Sequence, residues 1–348
     1  MSGLHFEISS FRNDLITVTS HENMKKMDRK NILFLGGNQL GCRCLKEVLR
    51  NRKLNIECVI GRYDDYGSIV NPKAWNASLA RVAFKRGLCY VQPKSLDDQI
   101  FLGSLDSMDR PDYIIICEYD KSLNEKIISL ADEGIISINL GNSLENGEYF
   151  PIPWSIVNGY SLTVTLDYKG RTQRVTECIA RVDIPFEKED TAYTLYSKAT
   201  LEGYKLFSEN LNDLIQSKFT RPDKNNRWSL CSDTSLPDDH RHIRWDWTAD
   251  RINRMIRALT FPPYPTAHTY YKDMEIEFLE PIEVIDDDKN DFNPGQIVDI
   301  LPDRLIIQTQ KGCLSIKRVR INESLTLNAM KFSEHFNISI GDIFCDRN

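Results

Sequence analysis

The sequence predicts a doubly wound α/β domain followed by a small all-β domain, and its 348 residues suit about two domains. Three observations carry that expectation. Short apolar runs at 31–35, 113–117 and 135–140 have the length and composition of fully buried strands. Amphipathic helical stretches lie between them, and strands alternating with helices imply a parallel sheet. Past residue 275 the helical period gives way to short β-like runs broken by turns, the pattern of a small barrel.

Each element has a local reason. The run 31–35 ends at Gly36-Gly37, a tight turn, and 40–49 then reads as a helix. A strand is expected at 55–60 and a helix at 77–86, with Gly87 at its C-terminal end. The strand at 113–117 is followed by a helix at 123–131 and a strand at 135–140. In such sheets ligands sit beyond the C-terminal strand ends, which directs attention to 36–41, 117–121 and 137–143. Two further strands fit 163–168 and 177–184. A long helix fits 190–214, capped by Asp190-Thr191 and carrying Leu195, Leu201, Tyr204 and Leu206 on its apolar face. Residues 217–239 are polar and read as a linker; a helix at 250–259 stops at Pro262-Pro263. β-like runs follow at 275–279, 296–300, 305–309 and 314–319, with turns at Pro294-Gly295 and Lys311-Gly312. The expected organisation is an N-terminal arm at 1–30 ending in a basic, solvated run at 24–30, an α/β domain at 31–215, a linker at 216–245, and a barrel-like domain at 246–348.

Composition narrows the function. There are 44 basic and 50 acidic side chains, a net charge of −6, which argues against a general polyanion binder. No apolar run reaches the roughly 18 residues of a membrane span. The nine cysteines are scattered and mostly sit in apolar runs, so they read as reduced thiols of a cytoplasmic protein. Cys42 and Cys44 lack a second pair at ligand spacing, so no metal site is assigned. Six histidines (5, 21, 240, 242, 268 and 335) all lie away from the strand ends just named. The loop Gly36-Gly37-Asn38-Gln39-Leu40-Gly41 invites a dinucleotide reading but puts Asn38 where the pyrophosphate-approaching glycine belongs, and it carries no P-loop lysine.

Taken together, the residues resemble the folate-dependent formyltransferases, a family that includes methionyl-tRNA and sugar-nucleotide N-formyltransferases. The first strand and turn match at 31–41, and a family stretch resembles 78–96 with its Gln92-Pro93 and Ser95-Leu96. The folate-lining segment resembles Glu118-Tyr119-Asp120, and Asp190-Thr191, Leu195-Tyr196 and Lys198 match a later motif. Asp246-Trp247, Ile252, Ile256-Arg257-Ala258, Pro263 and Pro265 match the C-terminal domain, as do Pro294-Gly295 and 312–316. The resemblance covers about 31–320 and implies a Rossmann-like formyltransferase domain, an OB-like C-terminal domain, and N10-formyltetrahydrofolate as cofactor.

The centre departs from the family. Its segment G-I-I-N-x-H aligns onto 134–139, so the family's catalytic asparagine falls on Ser137 and its histidine on Asn139; its aspartate falls on Arg174. An imidazole shuttles a proton during formyl transfer to an amine, and a carboxylate orients it. Asn139 can donate a hydrogen bond but take no proton, and Arg174 is a permanent cation. Asp167, Glu177 and Asp120 are the candidate replacement bases. The expectation is therefore a diverged transferase moving a formyl or related one-carbon or acyl group to a small amino-bearing substrate, such as an amino-sugar nucleotide or a natural-product intermediate. The alternative is an inactive homologue that binds ligand without chemistry; a nicotinamide enzyme ranks third. Residues 240–348 carry 14 Lys or Arg against 17 Asp or Glu, a net of −3, which disfavours tRNA.

Overall fold

The structure is a computed structural model that describes residues 29–62, 77–119, 123–141, 151–172, 176–216, 218–219, 227–228, 241–261, 264–287 and 291–345. The chain divides into two compact units. The first holds the residues up to 140 together with 164–182 and 200–233; the second holds 141–163, 183–199 and everything from 234 on.

In the first unit β1 (Lys30–Gly36), β2 (Leu54–Gly61), β3 (Tyr90–Val91), β4 (Tyr113–Cys117) and β5 (Gly134–Leu140) pair in parallel. The sheet continues through β6 (Leu162–Gly170), β7 (Thr176–Ile184) and β8 (Arg227–Trp228), giving eight strands in the order β3-β2-β1-β4-β5-β6-β7-β8. The first strand is placed centrally because Leu33, Phe34 and Leu35 are apolar on successive positions and so are buried on both faces. β1 begins one residue earlier than the apolar run: Lys30 is not part of a solvated arm but pairs with Asp112 and Glu133 at the sheet's lower edge.

Helices α1 (Asn38–Arg50), α2 (Leu79–Lys85), α3 (Gln99–Leu105) and α4 (Glu125–Ile128) connect the parallel strands. Ser78, Asp98 and Asn124 cap the last three, each accepting the backbone N–H three residues on. On one face Leu33, Leu35, Ile114, Ile116 and Ile135 pack with Phe101, Leu102 and Ile127. Fully burying each such side chain contributes roughly 1.5–3 kcal/mol. Among the elements around the parallel strands, three run against the expectation. β3 and α3 were unforeseen, because two residues show no period and seven show a weak one. The helix at 123–131 shrinks to the single turn of α4, because Asn124 caps it and the chain turns away after Ile128.

The second unit contains α5 (Pro151–Asn158) and α7 (Ala249–Ala258), and the long helix α6 (Ala192–Ile215) begins in it. Its sheet is antiparallel: β9 (His268–Tyr271), β10 (Met274–Ile285), β11 (Ile297–Leu301), β12 (Arg304–Gln308) and β13 (Cys313–Ile321) run in the order β11-β12-β13-β10-β9, with β14 (Leu325–Asn328) on β13. Trp245, Phe278, Phe332 and Phe344 form its aromatic core. The strands expected at 275–279, 296–300, 305–309 and 314–319 are therefore found. The region is not purely β, because α8 (Ala329–Phe336) follows β14, capped by Asn328, and α7 contributes its apolar face. The expected linker at 216–245 contains the short strand β8, and most of it lies outside the described residues.

Candidate functional site

The site is written into the pairing of β5 and β6. Ser137 lies opposite Asp167, and Asn139 opposite Thr165. Strand alternation then brings these four side chains to one face of the sheet, near the C-terminal end of β5. The opposite face, through Leu140 and Val164, lies against Gly203 of α6, where a Cβ would come within 3.2 Å of Leu140. Ser137, Thr165 and Asp167 are buried, and Asn139 is half-buried.

Asp167 is the centre of the group. It is only 3 % exposed, yet among the described residues every donor at hand is neutral. Asn139 Nδ2 donates to its Oδ2 at 2.6 Å, and Thr165 Oγ1 donates to the same oxygen at 3.0 Å. Oδ1 is buried without a hydrogen-bond partner of ordinary geometry. Burial therefore dominates: the carboxyl is pushed up to about 6 from 3.8, against the opposing hydrogen bonds of Thr165, Asn139 and the Cys178 thiol. The Cys178 thiol is in turn pushed up to about 12, by its own burial and by the neighbouring Asp167 charge. It stays protonated at neutral pH and is no nucleophile. A carboxyl poised near 6 can accept a proton at neutral pH, which a carboxylate at its ordinary value does poorly.

The other residues singled out from sequence are spread more widely. Glu177 lies on β7 in register with Arg227 of β8 and is not a hydrogen-bond partner of Asp167. Arg174 and Asp120 lie outside the described residues. Glu118 adopts a left-handed backbone conformation, φ 54°, and turns its carboxylate to the start of α1. There Oε2 accepts the Leu40 N–H at 2.9 Å and Oε1 accepts from Asn38 Nδ2 at 3.4 Å. A helix N-terminus is where a pyrophosphate would sit, and here a protein carboxylate holds it. That geometry argues against a dinucleotide. Gly36 packs against β4 so closely that a Cβ would lie 2.7 Å from the Cys117 carbonyl oxygen, which explains a glycine there without any ligand. Tyr119 is half-buried against the apolar cluster beneath the sheet. Thr165 and Cys178 are the members that sequence reasoning missed. The alternation of 163–168 could have found Thr165, since it shares a face with Asp167. Nothing in the sequence marks Cys178.

Elsewhere, Glu275, Glu277 and Glu323 of the second unit bring carboxylate oxygens within 4.8 Å of one another. Arg241 bridges Glu275 and Glu323, and Arg320 holds Glu277, so this is an ion-pair network. His242 and His268 meet edge to face beside it, and no described imidazole lies beside Asp167. Among the described residues no helix is long and apolar enough to cross a membrane.

Comparison with known proteins agrees with this architecture. Residues 236–337 match the family described as formyl transferase, C-terminal domain. A methionyl-tRNA formyltransferase of Clostridium tetani is 25% identical over 299 residues, covering 83% of this chain and 91% of that protein. The N-formyltransferase of Helicobacter canadensis, solved with folinic acid and dTDP-3-aminofucose, superposes with a TM-score of 0.55 at 18% identity, over 83% of this chain and 99% of that one. HypX of Aquifex aeolicus, solved with tetrahydrofolic acid, gives a TM-score of 0.55 at 16% identity, over 90% of this chain and 48% of HypX. A Rossmann-like sheet joined to this C-terminal module defines the class as a formyltransferase-type transferase fold. Residues 236–337 thus carry a formyl transferase C-terminal domain, and over most of its length the chain is similar to formyltransferases.

Proposed function

We propose that this chain transfers a formyl group from N10-formyltetrahydrofolate to the amine of a small acceptor, with Asp167 as the proton acceptor. The observation that carries the reading is Asp167 itself. It is a buried carboxyl near 6, its Oδ1 is unpartnered, and it is bonded to the residue standing at the family's histidine position.

The donor fits that arrangement because formyl transfer to nitrogen needs a group that takes up one proton and gives it back, and Asp167 is poised for both. When bound, N10-formyltetrahydrofolate would supply the formyl carbon. By the family resemblance Tyr119 and the main chain at 118–120 would hold it; the Glu118 carboxylate is already engaged by α1. Asp167 Oδ1 would take up the proton that the acceptor amine sheds and would give it back to the leaving amine, so that the transfer exchanges one C–N bond for another with the proton count unchanged. Asn139 holds the carboxylate through one amide N–H and has a second for the charge that grows on the formyl oxygen. Thr165 and Asn139 both fix Oδ2, which leaves Oδ1 as the basic atom. Ser137 shares the face and supplies a hydroxyl.

The acceptor we favour is an amino-sugar nucleotide or another small amine rather than a charged tRNA, since the region 240–348 carries a net of −3. The test is incubation of the full chain with N10-formyltetrahydrofolate and a panel of amino-sugar nucleotides, with formyl-methionyl-tRNA synthesis run beside it. Formylated sugar that disappears with Asp167→Asn supports the reading. Folate binding without product on any amine would instead mark a homologue that binds its ligand and does no chemistry.

A further inference from the structure

We propose that Cys58 and Cys89 form a site of reversible oxidation, closing a disulfide by exchange with a low-molecular-weight disulfide such as oxidised glutathione. The two sulfur atoms lie 3.1 Å apart. The fold puts them there. β2 and β3 run parallel with Val59 opposite Tyr90 and Ile60 opposite Val91, and the Val59 N–H donates to the Cys89 carbonyl at 2.9 Å. Cys58 and Cys89 therefore occupy the rung just before that ladder. Neighbouring strands sit about 4.8 Å apart, within the roughly 4.4–6.8 Å between Cα atoms that a disulfide spans. Little backbone movement is needed to join them.

The pair is asymmetric in the way an exchange reaction requires. β3 is the edge strand of the sheet, and Cys89 is half-buried, whereas Cys58 is fully buried beneath it. The Cys58 thiol favours the thiolate on Cys89, lowering Cys89 from its ordinary value against the opposing effects of burial and Glu57. Cys58 is correspondingly held in its protonated form. A second pair makes a natural control. Cys44 and Cys117 also interact, but both are fully enclosed in the core, where no oxidant reaches them.

The chemistry balances without a metal. The Cys89 thiolate attacks one sulfur of oxidised glutathione, the glutathione S–S bond breaks, and one glutathione leaves as thiolate. That thiolate takes the Cys58 proton. Cys58 sulfur then attacks the Cys89 sulfur of the mixed disulfide and expels the second glutathione, which is protonated by solvent. Two protein thiols are oxidised and one glutathione disulfide is reduced to two thiols. The site is separate from Asp167, and its test is independent of the formyl-transfer reading.

The experiment uses the full chain in oxidised glutathione, quenched by alkylation and mapped by peptide mass. The expected result is a linked Cys58–Cys89 peptide pair, lighter by two hydrogens than the free pair and released by dithiothreitol. Cys44 and Cys117 should remain alkylatable after unfolding. With Cys58→Ser the reaction should stop at glutathione on Cys89, and with Cys89→Ser, at the half-exposed position, no link to Cys58 should form. The proposal is overturned if Cys58 and Cys89 both stay as thiols while the exposed Cys345 takes up glutathione, or if Cys89 links to a different cysteine instead.

Discussion

Each of the two units buries a carboxylate in a sheet, and they handle it in opposite ways. In the second unit Glu277 of β10 is 1 % exposed and is met by the Arg320 guanidinium from the neighbouring β13. In the first unit Asp167 of β6 is equally enclosed and is met by an amide, a hydroxyl and a thiol, all neutral. Burial lifts both carboxyls above their ordinary values, but Arg320 opposes the lift at Glu277, and among the described residues no cation does so at Asp167. A buried carboxylate with a counter-ion is a structural pair; one held only by neutral groups has a raised proton affinity, and the fold must bear its desolvation.

Breaking that contrast should give unequal readouts. Asp167→Asn keeps the shape of the side chain and removes the base. Formyl transfer should fall about 10²–10⁴-fold in kcat, the usual worth of a general base, with folate binding retained. Arg320→Ala should leave transfer chemistry unaffected but destabilise the fold by about 3 kcal/mol, because Glu277 is left buried without its cation. Denaturant unfolding measures the second effect. Equal losses of activity in the two variants would dissolve the distinction.

The same carboxyl that we propose as the base should harm stability, and the sign can be worked out. The folded-state value of Asp167 is raised to about 6 from 3.8, so the native state holds the proton more tightly than the unfolded chain. Its contribution to stability is complete at low pH and is lost as pH rises through the window from 3.8 to about 6. The full loss is at most roughly 3 kcal/mol. Asp167→Asn should therefore be more stable than the parent at pH 8, by about 1–3 kcal/mol, with the difference shrinking toward pH 4. Parallel melts at the two pH values check this. A variant that is less stable at pH 8 would mean the carboxylate is well solvated after all.

Much of the fold was legible because apolar runs and helical periods report burial directly. β1, β4 and β5 follow from 31–35, 113–117 and 135–140, which are mostly apolar; Ser137 and Asn139 are the polar exceptions in β5 and face the site. The elements that escaped are short or defined by their partners. β3 is two residues long, and β8 exists only because β7 offers an edge. The site was legible in part. Asp167 could be named as a carboxylate on an apolar strand, which is unusual on its face. Its meeting with Asn139 depends on the register of β5 against β6, and that register is set across the intervening 141–161. Cys178 comes from a third strand, and no local pattern announces where β7 lies against β6.

The smallest effect is the most discriminating about that register. Thr165 stands opposite Asn139 and donates a hydrogen bond from its hydroxyl to Asp167 Oδ2, so it helps hold the carboxylate in its charged form. Thr165→Val keeps the β-branched shape in the strand and deletes only the donor. The loss of one such bond is worth about 1 kcal/mol, which raises the Asp167 value by somewhat less than one pH unit. The acidic limb of the pH–rate profile should move upward by that amount, with the plateau rate at high pH within a few-fold of the parent. If the limb stays put while the plateau falls, Thr165 acts on the substrate instead, and the group titrating in the profile is a different carboxyl.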